Sequence, residues 1–214
     1  MRLVIEDLET ADEDVAFDNI TITGDPVCFT RGAMIATPEG PRAIETLAAG
    51  DLVITRDHGA QPLRWVGSRR VLAEEPALRP VRIRAGALGQ GLPERDLVVS
   101  RHHGMLVTGW RAALLFDAGE ALVAAVDLVN DSTITLEPAG EVEYFHLLFD
   151  AHQIVMAEGA WTESYKPLAR DLSFFNAAQE REILGLFPEL ELAEGPAFAS
   201  ARPVASKRDA ALFS

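Results

Sequence analysis

The chain has 214 residues, 48% of them hydrophobic, and it carries 19 lysines and arginines against 33 aspartates and glutamates. This length fits one domain of ordinary size, or one domain with an appendage, and allows a sizeable core. The formal net charge of −14 argues against nucleic acid or an anionic membrane as a partner. The sequence shows neither an apolar run long enough to span a membrane nor a Sec-type signal peptide. We therefore expect a cytoplasmic protein, or one exported without a signal peptide.

The composition divides the chain into three parts. Residues 1–27 form an acidic leader with eight acids and one base, which is too short to bury a core of its own. Residues 28–164 carry a β pattern throughout, in which short apolar runs alternate with Gly, Pro, Asp and Asn. Residues 165–214 form a tail with helical character, which we expect to pack on the β body.

The apolar runs of the middle part predict an all-β body of the sandwich or barrel type. They cover residues 52–55, 63–66, 81–85, 96–100, 105–107, 121–125, 133–136, 144–149 and 153–157. Asp57-His58-Gly59 separates two of these runs and predicts a hairpin turn. In the tail, Ser173 is placed to cap a helix that buries Phe175, Ile183 and Leu186, and Pro188 ends this helix.

Cys28 is the only cysteine, and it opens the stretch CFTRGAMIATPEG. It can form no internal disulfide, so either burial or chemistry must explain it. A Gly-Asp-Pro turn signal and Val27 precede it. Further along, Gly50-Asp51 leads into another predicted strand.

The histidines concentrate in two later stretches. His102 and His103 follow the predicted strand that ends at Ser100, and His146 and His152 belong to the stretch that leads to Ala-Glu-Gly-Ala-Trp. Adjacent residues of a strand point to opposite faces, so His102 and His103 are a poor pair of metal ligands. No metal or cofactor is expected.

Together these stretches resemble a Hint domain, the self-processing module of hedgehog C-terminal domains, inteins and bacterial intein-like proteins. The resemblance covers residues 25 to about 190 and is strongest to the bacterial intein-like subgroup. It implies a mainly β, horseshoe-like fold with a pseudo-twofold axis and a short C-terminal helix. The family's Thr-x-x-His motif corresponds to Ser100 and His103, which leaves His102 as a neighbour.

The resemblance also implies autocatalytic cleavage at the Val27–Cys28 bond. The Cys28 sulfur would attack the Val27 carbonyl in an N-to-S acyl shift that produces a thioester. The amide nitrogen leaves badly unless it is protonated, and His103 would supply that proton, a contribution of typically 10²–10⁴-fold. Ser100 would hydrogen-bond the scissile amide or orient His103.

The last motif implies two more candidate residues and one missing reaction. His146 lies near the place of an aspartate that tunes the cysteine in inteins, and His152 resembles the histidine of the last motif. Glu163 and Ser164 stand where splicing inteins carry His and Asn, and Tyr165 follows in place of an acyl-accepting residue. Splicing is therefore not expected.

The expected substrate is the chain's own N-terminal flank, and the expected acyl acceptor is water or a small thiol, since nothing marks a sterol site. Two alternatives stay open. The chain could be an inactive Hint-fold module, with a binding or structural role in a secreted protein. A cysteine peptidase acting in trans is less favoured, because Cys28 begins a strand region rather than a helix. The sequence gives no sign of oligomeric state.

Overall fold

The structure is a computed structural model that describes residues 27–167, 172, 175–191, 198–210 and 212. Apart from Val27, the predicted acidic leader lies outside the described residues, and so does Ser173.

The described residues form mainly β structure, with few and short helices, which confirms the expected fold class. The strands are β1 (Phe29–Thr30), β2 (Met34–Thr37), β3 (Gly40–Ala43), β4 (Leu52–Thr55), β5 (Gly59–Pro62), β6 (Trp65–Leu72), β7 (Val81–Ile83), β8 (Leu97–Val99), β9 (Gly104–Thr108), β10 (Glu120–Ala124), β11 (Ile134–Leu136), β12 (Glu141–Leu148), β13 (Ile154–Ala157) and β14 (Ala160–Glu163). The helices are α1 (Trp110–Phe116), α2 (Ala177–Leu186) and α3 (Lys207–Ala210), and 3₁₀ turns occur at Ile44–Thr46, Pro76–Leu78, Ala125–Leu128 and Pro188–Glu191.

The strands form two sheets. The first has six strands in the order β11-β7-β8-β1-β12-β6, and the second has eight, with β10-β9-β14-β13-β2-β3 in one path and the β4–β5 hairpin joined through β13. The predicted turn at Asp57-His58-Gly59 does connect β4 to β5, and Gly59 takes a φ of 65° there, which glycine adopts without strain. The main core lies among buried Ile, Leu, Val and Phe side chains of both sheets.

We predicted β structure throughout residues 28–164, and this is wrong at Trp110–Phe116, which form the helix α1. Gly109, with a φ of 118°, ends β9, and Asp117 is the left-handed residue at the C-terminus of the helix. Seven residues between two paired strands are too few to show helical periodicity in the sequence. Trp110 and Leu114 on this helix are largely exposed.

The C-terminal part contributes a second apolar cluster. Phe175 and Ile183 are buried together with Trp65, Tyr144 and residues that follow β14. The predicted cap at Ser173 is wrong, because α2 begins later and Asn176 caps it. The Asn176 side chain accepts hydrogen bonds from the backbone N–H groups of Ala178 and Gln179, and the Gln179 side chain reaches back to the cap. A capping box satisfies more of the free N–H groups at this end than a single serine does.

Candidate active site

The register of β1 positions the only cysteine. Phe29 pairs with Phe145 of β12 on one side and with Val99 of β8 on the other, both antiparallel. One residue earlier along β1, the same registers place Cys28 between His146 and Ser100. Three residues that are far apart in the sequence therefore converge because of strand pairing alone.

Cys28 and His146 make direct contact at the scissile bond. Cys28 Sγ lies 3.6 Å from Nε2 and 3.7 Å from Nδ1 of His146, and its side chain is buried. His146 Nδ1 lies 3.1 Å from the carbonyl oxygen of Val27. A carbonyl can only accept a hydrogen bond, so Nδ1 carries the proton of the neutral ring and Nε2 carries a lone pair. One imidazole thus faces both the nucleophile and the carbonyl it would attack.

The surroundings of His146 keep its ring neutral. Its ring makes edge contacts with Tyr165 at 5.1 Å and with Phe175 at 4.8 Å between centroids. Burial lowers the pKa of His146 to about 3, with the Val27 carbonyl acting in the opposite direction. The ring is therefore a neutral base throughout the physiological pH range.

Ser100 forms hydrogen bonds with the backbone of Cys28, on the nitrogen side of the Val27–Cys28 amide. The backbone N–H of Cys28 donates to Ser100 Oγ at 3.0 Å, and the Ser100 N–H donates to the Cys28 carbonyl at 2.9 Å. The amide nitrogen of the Val27–Cys28 bond is thus fixed relative to Ser100, which directly follows β8.

His103 is fully buried, whereas the adjacent His102 is exposed. The His103 ring packs at 4.5 Å on the ring of Phe29, and no side chain among the described residues hydrogen-bonds either of its nitrogens. Burial lowers the pKa of His103 to about 4, while Glu163 and the Cys28 backbone act in the opposite direction. His103 is thus a neighbour of the Cys28 backbone, and the side chain that contacts Sγ is His146.

His152 lies in a buried pair with Glu163 that the sequence did not indicate. Its Nε2 is 3.0 Å from Glu163 Oε2, and its Nδ1 accepts the Ala201 N–H at 3.0 Å. Glu163 Oε1 accepts the Gly104 N–H at 2.7 Å. The sequence contained only one hint of this carboxylate, which is that Glu163 stands close to the last motif. Among the described residues, no group of His, Cys, Asp and Glu side chains has an arrangement that could hold a metal ion.

A family model described as a Hint domain matches residues 27–169. The chain belongs to the Hint domain family. The match begins one residue before Cys28 and includes Ser100, His103, His146 and His152. The resemblance inferred from the three sequence stretches is therefore confirmed.

Solved structures of intein-like proteins resemble this Hint domain. A bacterial intein-like domain from Clostridium thermocellum has 18% identity and a TM-score of 0.44, covering 64% of this chain and 97% of the other. The gp41-1 intein has 14% identity and a TM-score of 0.39, with coverages of 64% and 97%. A DnaB intein from Synechocystis sp. PCC 6803 has 11% identity and a TM-score of 0.40, with coverages of 64% and 98%. A search of curated proteins found no match.

Membership of this family supports self-processing as the general function of the Hint domain. Within the part of the chain that the structure describes, no helix is both long and apolar enough to cross a membrane.

Proposed function

We propose that this Hint domain cleaves its own chain at Val27–Cys28 through a thioester, without splicing. The observation that supports this most strongly is the position of His146, with Nδ1 3.1 Å from the Val27 oxygen and Nε2 3.6 Å from Cys28 Sγ. The nucleophile, a proton acceptor and the carbonyl to be attacked thus occupy one buried site.

In the first step the Cys28 thiol gives its proton to His146 Nε2 as Sγ bonds to the Val27 carbonyl carbon. Burial makes a charged imidazole ring unfavourable before the attack, so the proton leaves as the S–C bond forms. The Nδ1–H of His146 then faces the oxygen on which negative charge develops. It acts as a hydrogen-bond donor to the oxyanion.

In the second step the C–N bond breaks, and the Cys28 nitrogen takes a proton from protonated His103 and becomes an amine. Solvent returns one proton to His103 and removes one from His146, so the acyl shift is proton-neutral overall. Ser100 Oγ, which accepts the scissile N–H at 3.0 Å, holds the nitrogen during this exchange.

The acyl group then passes from sulfur to an acceptor, for which we propose water or a small thiol. Water would give a free carboxylate at Val27 and restore the Cys28 thiol. The substrate is the segment of the same chain that precedes Cys28. We propose no C-terminal step, because Ser164 has no side-chain amide that could attack its own carbonyl.

Intact mass measured over time, with and without an added thiol, tests this function. The expected product is a fragment that begins at Cys28, formed faster with thiol, and the Cys28→Ala chain should give none. Alanine is small and apolar, so it fits the buried position without disturbing the fold. A mass that stays unchanged at every pH and thiol concentration would instead support an inert binding or structural module. Cleavage that persists in Cys28→Ala would exclude the thioester.

A further inference from the structure

Three buried titratable side chains, His103, His152 and Glu163, are neighbours in the structure. The mechanism above uses only His103, and the function of the other two is unassigned. Glu163 is the last residue of β14, which pairs with β9 through Thr162 and Met105. This pairing brings the carboxylate next to the strand that begins directly after His103.

The position of the Glu163 carboxylate is fixed on two sides. Oε1 accepts the Gly104 N–H at 2.7 Å, and Oε2 lies 3.0 Å from His152 Nε2. The approach to the backbone is so close that a Cβ at position 104 would lie 2.5 Å from Oε1. Glycine at this position therefore lets the carboxylate reach the peptide unit next to His103.

The protonation pattern of His152 follows from its other nitrogen. Because the Ala201 N–H donates to Nδ1 at 3.0 Å, the proton of the neutral ring lies on Nε2, the nitrogen that is 3.0 Å from Glu163 Oε2. Glu163 thus accepts the Gly104 N–H and lies beside the His152 ring, and within the described part of the chain no lysine or arginine forms an ion pair with it. When this carboxylate is ionised, no lysine or arginine among the described residues neutralises its charge.

That charge acts on His103. The cleavage step needs a protonated His103, which burial opposes, and no side chain among the described residues hydrogen-bonds either nitrogen of this ring. The remaining titratable neighbours are His152 and, across the site, His146, and a positive charge on either would disfavour protonation. We propose that Glu163 is a positioning residue whose negative charge allows His103 to carry a proton while the Val27–Cys28 bond breaks.

This inference rests on the proposed function for its catalytic meaning, but the charge coupling can be measured without cleavage. It also links the C-terminal segment to the site, since Ala201 fixes the tautomer of His152. Next to it, Arg202 pairs with Asp57 at 2.6 Å and with Glu120 at 2.7 Å, which holds this segment on the β body.

The first test is an NMR titration of the histidines in full-length Cys28→Ala chains, which cannot form the thioester. Glu163→Gln removes the charge and keeps the size of the side chain, and we expect the pKa of His103 to fall by about one pH unit. Glu158→Gln is the matched control. Glu158 is a buried carboxylate in the β13–β14 turn that binds Arg95 and the Met34 N–H, and it contacts no histidine among the described residues.

A pKa of His103 that is the same in the Glu163→Gln chain and in its parent would overturn the proposal. A second readout needs no substitution at position 163. The carboxyl carbon of Glu163 in the parent should change its chemical shift through the same midpoint as His103. If the chemical shift of the Glu163 carboxyl carbon stays constant while His103 titrates, the proposal is also overturned. This readout remains available even if Glu163→Gln fails to fold.

The second test measures the rate of cleavage in chains that retain Cys28. A pKa of His103 lower by about one pH unit leaves about tenfold less protonated ring at neutral pH, so Glu163→Gln should slow the acyl shift about tenfold. The rate should recover partly as the pH is lowered, whereas Glu158→Gln should keep the parental rate and pH profile. Equal losses in both variants would mean that Glu163 is only structural. If no chain cleaves but the titrations shift as expected, the coupling holds and the proposed function fails.

Discussion

Cys28 and His146 are 118 positions apart in the chain, yet Sγ of one lies 3.6 Å from Nε2 of the other. The pairing of β1 with β12 creates this contact, because Phe29 opposite Phe145 places the preceding residue opposite the following one. The proposed nucleophile thus directly precedes β1, and its proposed base lies on the adjacent strand β12 of the same sheet. Their geometry therefore depends on the core and not on a mobile loop.

The first prediction concerns His146. Replacing it with glutamine removes the proton acceptor of Cys28, so the rate of formation of the Cys28 fragment should fall by about 10²–10⁴-fold. The rate is followed by intact mass with excess thiol. His102→Gln, which changes an exposed neighbour of His103, should cleave at the parental rate. A His146→Gln chain that cleaves as fast as the His102→Gln chain would exclude His146 as the base.

The second prediction concerns stability and pH. The pKa values of His103 and His146 are lowered in the folded state to about 4 and about 3. As the pH falls below about 6.5, the unfolded chain gains protons that the folded chain does not, so the folded state loses stability. Between pH 7 and pH 5 the loss should be about 2 kcal/mol per histidine.

Urea unfolding of the Cys28→Ala chain at several pH values measures this loss. Adding His103→Gln should remove about half of the pH dependence in this range, since only one of the two histidines with a lowered pKa remains. His102→Gln should leave the dependence as it is. Identical slopes for the two variants would show that burial does not depress the titration of His103.

The third prediction concerns the C-terminal part of the chain. Ser164 is buried, its Oγ accepts the Gln153 N–H at 3.0 Å, and its own N–H donates to the Gln153 carbonyl at 2.9 Å. A hydroxyl cannot form the cyclic imide that an asparagine forms, so the tail should stay attached. Mass spectrometry over days should show no fragment that ends at Ser164. Accumulation of such a fragment would mean that the last motif is active.

The fourth prediction concerns the aromatic contact of His146. Phe175→Ala removes a ring centred 4.8 Å from the imidazole and admits water, so the pKa of His146 should rise towards its ordinary value. The free energy of unfolding should fall by about 3 kcal/mol. Phe187→Ala is a control of similar size, because Phe187 is buried in the same cluster and its ring packs on Phe198. An unchanged titration of His146 in Phe175→Ala would contradict the prediction.

The sequence predicted the elements whose signals are local. The β4–β5 hairpin follows from its Asp-His-Gly turn, and β10 and β12 follow from apolar runs. The choice of His103 over His102 depended on the family motif, and the structure buries the first and exposes the second. The start of α2 was wrong by several residues, because Asn176 and Gln179 form a better cap than the serine before them.

The sequence could not predict contacts that depend on register across long separations. The direct contact of Cys28 with His146 rather than with His103 depends on which residue of β12 pairs with Phe29, and a slip of one residue would turn His146 to the other face. The Glu163 carboxylate reaches Gly104 across 59 positions. Local propensity contains no information on either contact.

The antiparallel pairing of Phe29 lies on the C-terminal side of the bond that breaks, and so do both hydrogen bonds between Cys28 and Ser100. Cleavage before Cys28 would therefore remove none of the described strands from the sheet, and the new amine would stay beside the thioester that it has just left. We expect this amine to recapture the acyl group rapidly, so that the thioester is a minor, reversible species. The rate of cleavage would then depend on the concentration of the acyl acceptor around the domain and not on the rate of the acyl shift.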